Sequence, residues 1–316
     1  MSCSLNFLYD AIGLSKQAVH GQINRYMSIK EMECQVLKLV RKIRSDHPTM
    51  GVREMYFLMN PGSMGRDIFE ALCRDNGLTI KPIKNYHKTT DSSGVERFDN
   101  LINGLDIEAP NQVWQSDITY YRIENKFYYI TLIQDAFTKI IVGYSVSKRL
   151  KTNQTTIPSL SMAFRNAKKA VLDGLIFHSD GGGQYYSVEF LKLIKSRNLI
   201  SSMGKDCYEN AMAESLNGVI KNKYLYHRSI NNFKELEYEV DRTVQLYNFK
   251  KPHSSLNRLT PYQFLNNYLS LENQTNASIE KSTDANSCKK EASSLFLTDQ
   301  TNTNNKNVTA ANRVIT

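Results

Sequence analysis

The chain has 316 residues, 41% hydrophobic and 22% charged, which suits one large or two to three small domains and is ample for a buried core. It has no apolar run long enough to span a membrane, and its start, MSCSLNFLYDAIG, lacks the basic and apolar stretches of a signal peptide. Its five scattered cysteines form no C-x-x-C pair, which argues against a disulfide framework and a structural zinc site. The net charge is +9, and residues 111–272 supply most of it, with 21 Lys/Arg against 14 Asp/Glu. A basic surface attracts polyanions, nucleic acid foremost, but charge alone does not separate such a binder from a merely soluble basic protein. A cytosolic protein is expected.

Residues 1–92 read as helical. Val36, Leu39, Val40 and Ile43 recur at helical spacing, and Pro48 then stops the helix. Two shorter helices are expected over 52–59 and 65–76. Three short helices with tight turns suit either a helix-turn-helix DNA reader or a plain three-helix packing unit. The domains expected are an N-terminal helical arm (1–31), a helix-turn-helix-like unit (32–80), a basic and polar linker (81–110), a main body (111–272) and a disordered tail (273–316). The tail holds 20 Asn, Ser or Thr among 44 residues, too little apolar surface to offset its ordering entropy.

In the main body, Val113–Tyr121, Lys126–Phe137 and Lys139–Ser147 are rich in β-formers and joined by short turns, so they are expected to pair as an antiparallel meander. A helix over 155–170, a strand over 174–180, a helix over 188–197, a strand over 199–203 and a helix over 210–225 follow. The order β-β-β-α-β-α-β-α is that of an α/β layer fold. A further amphipathic helix carries Phe233, Leu236, Val240, Val244 and Tyr247.

Three acids stand out by context. Asp117 interrupts an apolar, aromatic strand, where a carboxylate needs a partner or a metal. Asp180 ends a buried strand at Gly181-Gly182-Gly183, the strand end where α/β sites form. Glu214 shares one helix face with Asn210, Asn217 and Lys221. Magnesium prefers oxygen ligands and is held by one or two carboxylates plus substrate phosphates. Two such ions, served by three carboxylates, suffice for an in-line displacement at phosphorus. Any one of these acids alone would read as structural; together, in this element order, they read as a metal site. Among competitors, Asp135 reads as a turn residue and Glu209 as a helix-start acid. His178 reads as a packed histidine, a support for Asp180 or a DNA contact. Trp114, three residues before Asp117, reads as core on the opposite strand face.

Several motifs then stand together: Trp114-x-x-Asp117-Ile-Thr-Tyr120; Asp135-Ala-Phe-x-x-x-Ile141-Val-Gly-Tyr144; His178-Ser-Asp180-x-Gly-x-Gln184-Tyr185; Asn210-Ala-x-Ala-Glu214-Ser; and Tyr247-Asn248-x-x-Lys251-Pro-His253-x-x-Leu256-x-x-x-Thr260-Pro261. Over about residues 4–265 the chain resembles the OrfB product of insertion-sequence-three family transposases, DDE enzymes related to retroviral integrases. The resemblance implies a ribonuclease-H-like mixed sheet flanked by helices and preceded by a small helical domain. Pro48-x-Met-Gly51-x-Arg53 and Gly65-Arg66-Asp67 also resemble the family's helix-turn-helix segment.

The resemblance assigns Asp117, Asp180 and Glu214 as ligands of two Mg²⁺ ions, with Mn²⁺ an alternative for an oxygen site. The implied activity is cleavage at the ends of an insertion sequence and strand transfer of the freed 3′-hydroxyl. Lys221 and Asn217 would position DNA near the metals. Asn210, His178 and Gln184 are further candidate contacts, and Lys81, Lys84 and Lys88 would follow the backbone phosphates. The implied partners are double-stranded DNA, the OrfA product or a frameshift fusion with it, and further copies of this chain on the DNA. The initial methionine and the lack of a heptad run fit OrfB alone, in a bacterial, nucleoid-associated setting. Two other readings share the carboxylates: a ribonuclease-H-like nuclease without strand transfer, and a non-catalytic DNA-binding regulator.

Overall fold

The computed structural model describes residues 5–80, 98–167, 172–204 and 210–274. The linker lysines Lys81, Lys84 and Lys88, the competitor Glu209, and the tail beyond 274 lie outside them. Two compact units are separated, Met1–Tyr262 and Gln263–Thr316.

The first unit begins with α1 (Leu5–Ala11), α2 (Lys16–Asp46), α3 (Val52–Met59) and α4 (Arg66–Asp75). Ser15 caps α2 by accepting from the Ala18 N–H, and no proline follows until Pro48, so one helix runs unbroken across the boundary expected at 31/32. Only its C-terminal part is buried. Val36 and Val40 join Met50, Met55, Met64, Phe69 and Cys73 in a small core. Leu39, expected on that face, points outward and is 52% exposed; the contact stripe is a narrow i, i+4 line because the helices it meets are short.

The sheet holds β1 (Val113–Ile123), β2 (Lys126–Asp135), β3 (Ile141–Ser147), β4 (Ile176–Ser179) and β5 (Ile200–Met203) in the order β3-β2-β1-β4-β5. The first three pair antiparallel, as expected, and β4 and β5 add in parallel to β1 and to each other. This is the ribonuclease-H-like arrangement. β2 stops at Asp135 rather than Phe137. The Asp135 carboxylate accepts from the Thr138 N–H (2.7 Å) and hydroxyl (2.6 Å) and closes the turn, the role its position suggested.

Helices α5 (Thr156–Asn166) and α6 (Val188–Lys195) cover one face of the sheet, where Trp114, Ile133, Leu160, Phe177 and Phe190 form a core. Helix α5 is shorter than the expected 155–170. It approaches β3 so closely that a Cβ on Gly143 would overlap the Ser159 carbonyl oxygen. Helices α7 (Ala211–Lys223) and α8 (Phe233–Phe249) cover the other face, with Tyr121, Ile130, Leu132, Leu216, Ile220, Val240 and Val244. Each buried aliphatic side chain contributes about 1.5–3 kcal/mol. The helical segment is tied to this layer. His47 Nδ1 meets the Tyr224 hydroxyl at 2.9 Å, and Arg228 donates to the Ser45 and Asp46 carbonyls.

Candidate active site

Strand β4 pairs with β1 only over Val113–Ser116, ending at the pair Ser116↔Ser179. The next residue on each strand is a carboxylate: Asp117 on β1 and Asp180 just past β4. Adjacent strands lie about 4.8 Å apart, so the register alone sets these two acids side by side where the parallel strands end.

Asp117 lies on the face covered by α7. Its Oδ2 accepts from Asn217 Nδ2 at 2.7 Å and its Oδ1 from the Ile118 N–H at 2.8 Å. Burial, then the charge of Asp180 and more weakly that of Glu214, push its carboxyl up to about 7, against the two hydrogen bonds. Asp180 is also raised by burial, opposed by the Gly182 N–H that its Oδ1 accepts at 3.1 Å. A Cβ on Gly182 would stand 3.0 Å from that same oxygen, so the glycine leaves the cradle open. The Tyr186 hydroxyl holds the Asp180 carbonyl at 2.8 Å.

Glu214 is exposed in the first turn of α7 and close enough for its charge to act on Asp117. Among the described residues, no three His, Cys, Asp or Glu side chains are gathered to hold an ion as they stand. The donor set nevertheless fits one. All three carboxylates would offer hard oxygens, and a divalent cation would offset the burial and acid–acid repulsion that raise Asp117.

The rest of the polar face of α7 lies along β1. Asn210 Nδ2 donates to the Ser116 carbonyl at 3.3 Å, and Lys221 Nζ to Thr119 Oγ1 at 3.2 Å. Burial lowers the Lys221 ammonium while Asp117 opposes that shift. Asn217 and Asn210 are buried, so their amides hold the site's frame. His178 is fully buried in β4 with Nδ1 2.9 Å from Ser202 Oγ on β5, which ties it to the neighbouring strand. Gln184 is half-buried, and its carbonyl accepts from Thr156 Oγ1 at 3.1 Å.

Sequence reasoning gave no role to Tyr185. Its buried hydroxyl meets Ser116 Oγ at 2.9 Å, and burial with the charges of Asp180 and Asp117 keeps it a neutral phenol. It belongs to the core on the face covered by α5 and α6. The pairing of Asn217 with Asp117 was equally invisible, since it spans 100 residues of sequence.

Integrase core domain families match residues 107–206 and 198–261. The 31 kDa protein of insertion element IS600 from Shigella sonnei is 30% identical over 265 residues, 81% of this chain and 96% of that protein. The chain belongs to the insertion-sequence-three family of DDE transposases. The transposase for insertion sequence element IS629 from Shigella sonnei is 32% identical over 180 residues, 56% of this chain and 60% of that one. Transposase InsF for insertion sequence IS3A from Escherichia coli (strain K12) is 29% identical over 204 residues, 63% of this chain and 70% of that one. The protein is thus a DNA transposase, with the integrase core domain spanning the strands and helices that build the site. Among the described residues, no helix is long and apolar enough to cross a membrane.

Proposed function

We propose that this transposase cleaves one strand at each insertion-sequence end and joins the freed 3′-hydroxyl to target DNA, both by in-line phosphoryl transfer at Asp117, Asp180 and Glu214. The observation that carries the reading is the register at Ser116↔Ser179, which leaves two carboxylates adjacent at the ends of parallel strands, with the charge of a third acid, Glu214, acting on Asp117. Bound Mg²⁺ or Mn²⁺ would supply Lewis-acid stabilisation and an activated oxygen nucleophile there.

The chain's own groups do the remaining work. Asn217, with the Ile118 N–H, fixes the rotamer of Asp117. Gly182 keeps the space beside Asp180 free. Lys221 offers an ammonium to a DNA phosphate at the edge of the site. Tyr185 and the core behind it keep water from the buried side of both acids. Both reactions displace an oxygen at phosphorus, so one site serves water first and the 3′-hydroxyl second.

The same reading takes residues 32–80 as a helix-turn-helix-like DNA contact beyond an arm at 1–31, and OrfA, free or fused, as the partner that recognises the element ends. The active species is an oligomer bridging two of them. The test is a joining assay with labelled end DNA and target plasmid, for the chain alone and for the OrfA fusion, with Mg²⁺ or EDTA. Metal-dependent joined products support strand transfer. Nicks without joining support a nuclease, and binding without either product supports a regulator.

A further inference from the structure

Past Ser116, β1 outruns β4. Over 117–123 it has no strand neighbour on that side among the described residues, so an open sheet edge leads away from the carboxylates. Beside it, the sheet face opposite Asp117 carries Tyr120 and Arg122 on β1, paired in register with Tyr129 and Phe127 on β2. Helices α5 and α6 cover this face further back, around Trp114 and Ile133, but the hairpin end extends into solvent, and Phe127 is 49% exposed. Tyr120 and Phe127 form an edge-to-face pair, ring centres 5.4 Å apart at 87°.

Two cations flank this aromatic pair. Lys221 Nζ stands 4.8 Å from the centre of the Tyr120 ring while bonding Thr119 on the catalytic face. It therefore spans the edge between the two faces. Arg122 lies 6.0 Å from the Phe127 ring, its guanidinium held by the Glu124 carbonyl and the Asn125 side chain. Cross-strand packing accounts for aromatics in a hairpin. It does not account for an accessible ring with a cation at its edge, three strand residues, or about 10 Å, from Asp117. Aromatic rings interleaved with cations are the chemistry that holds single-stranded nucleic acid, rings against bases and cations against phosphates.

We infer that Tyr120 and Phe127 form a stacking surface for an unpaired DNA base next to the scissile phosphate, with Lys221 and Arg122 holding the phosphates on either side of it. This rests on the DNA-cleaving reading above and adds to it that the element end is frayed when bound. Tyr120 is then a positioning residue: it fixes a neighbouring nucleotide and so the register of the reacting phosphate. Duplex phosphates remain the business of basic groups elsewhere and do not depend on the rings.

The test uses the full chain and an end duplex bearing 2-aminopurine as an unpaired terminal base, with a fully paired duplex as control. The wild type should quench the fluorescence on binding. Tyr120→Leu and Phe127→Leu should leave it bright and bind the frayed duplex about tenfold more weakly, the size of one base–aromatic stack. Both should bind the paired duplex and melt as the wild type does, and Tyr120→Phe should restore the quench. Absence of quenching by the wild type, quenching unchanged in both leucine variants, or equal weakening on both duplexes would overturn the inference. A wild type that quenches the base yet makes no cleaved or joined product would instead contradict the proposed function and leave the stacking surface in place.

Discussion

Asn217 Nδ2 donates to Asp117 Oδ2 at 2.7 Å, joining the middle of α7 to the point where β1 leaves its pairing with β4. One side-chain amide thus helps set how the raised Asp117 carboxyl is aimed. Removing it with Asn217→Leu should lower the single-turnover cleavage rate about 10–100-fold, the usual cost of losing a partner that orients a ligand. Asn217→Asp should be worse at neutral pH, because a fourth negative charge raises Asp117 further. The check is the pH–rate profile, whose acid limb should move upward for Asn217→Asp. An unchanged limb would mean that the amide does not act through Asp117.

Without a metal the Asp117 carboxyl is raised to about 7, so at neutral pH a fraction of the molecules carries a proton there. An ion needs the deprotonated form. Adding Mg²⁺ at pH 7 should therefore release protons, and affinity should fall as the pH drops below 7. An indicator dye in weak buffer reads the release, and Asp117→Asn should abolish it. No release in the wild type would place the ion elsewhere.

Two histidines, buried His47 and half-buried His253, set a different pH dependence. Burial holds His47 down at about 4 and His253 at about 3, below the ordinary value near 6.5. Between those limits the unfolded chain binds more protons than the folded one, so stability is full above about 6.5 and is lost as the pH falls toward 4 for His47 and 3 for His253, by at most about 1.4 kcal/mol per unit for each group. Asp117 works in the opposite sense, since its raised carboxyl binds a proton more readily when folded. Comparing wild type with His47→Gln isolates the histidine: the melting temperature of the variant should depend less on pH between 4 and 6.5. Parallel curves would show that His47 does not titrate on unfolding.

Gly143 is a packing position. A methyl there would overlap the Ser159 carbonyl oxygen and fall 2.9 Å from the Ala163 nitrogen, both backbone atoms that cannot swing aside. Gly143→Ala should cost about 1–3 kcal/mol by urea unfolding, with the site's chemistry intact in the fraction that remains folded. A variant as stable as wild type would mean that α5 shifts freely on β3.

Much of this was legible in the sequence because it is local. The alternation that places Trp114 and Asp117 on opposite faces, the short turns of the meander and the end of β4 at Asp180 are all short-range features. Leu39 was misjudged because periodicity reports which residues suit a face, not how much of that face finds a partner. The frame of the site was illegible for the same reason. The partners of Asn217, Asn210 and Tyr185 lie 100, 94 and 69 residues away in the chain, and only the folded sheet brings them together. For His178 the sequence left a packed histidine open beside a support for Asp180 or a DNA contact, and its burial against Ser202 fits the packed reading.

The central claim is that Asp117, Asp180 and Glu214 act as one metal-dependent site for both cleavage and joining. The most direct measurement is strand transfer by Glu214→Gln beside the wild type, in the OrfA fusion with Mg²⁺, using precleaved ends for joining alone and uncleaved ends for both steps. Loss of both steps together, with end-DNA binding retained, is the predicted result. Full joining by Glu214→Gln would remove that residue from the site and contradict the account.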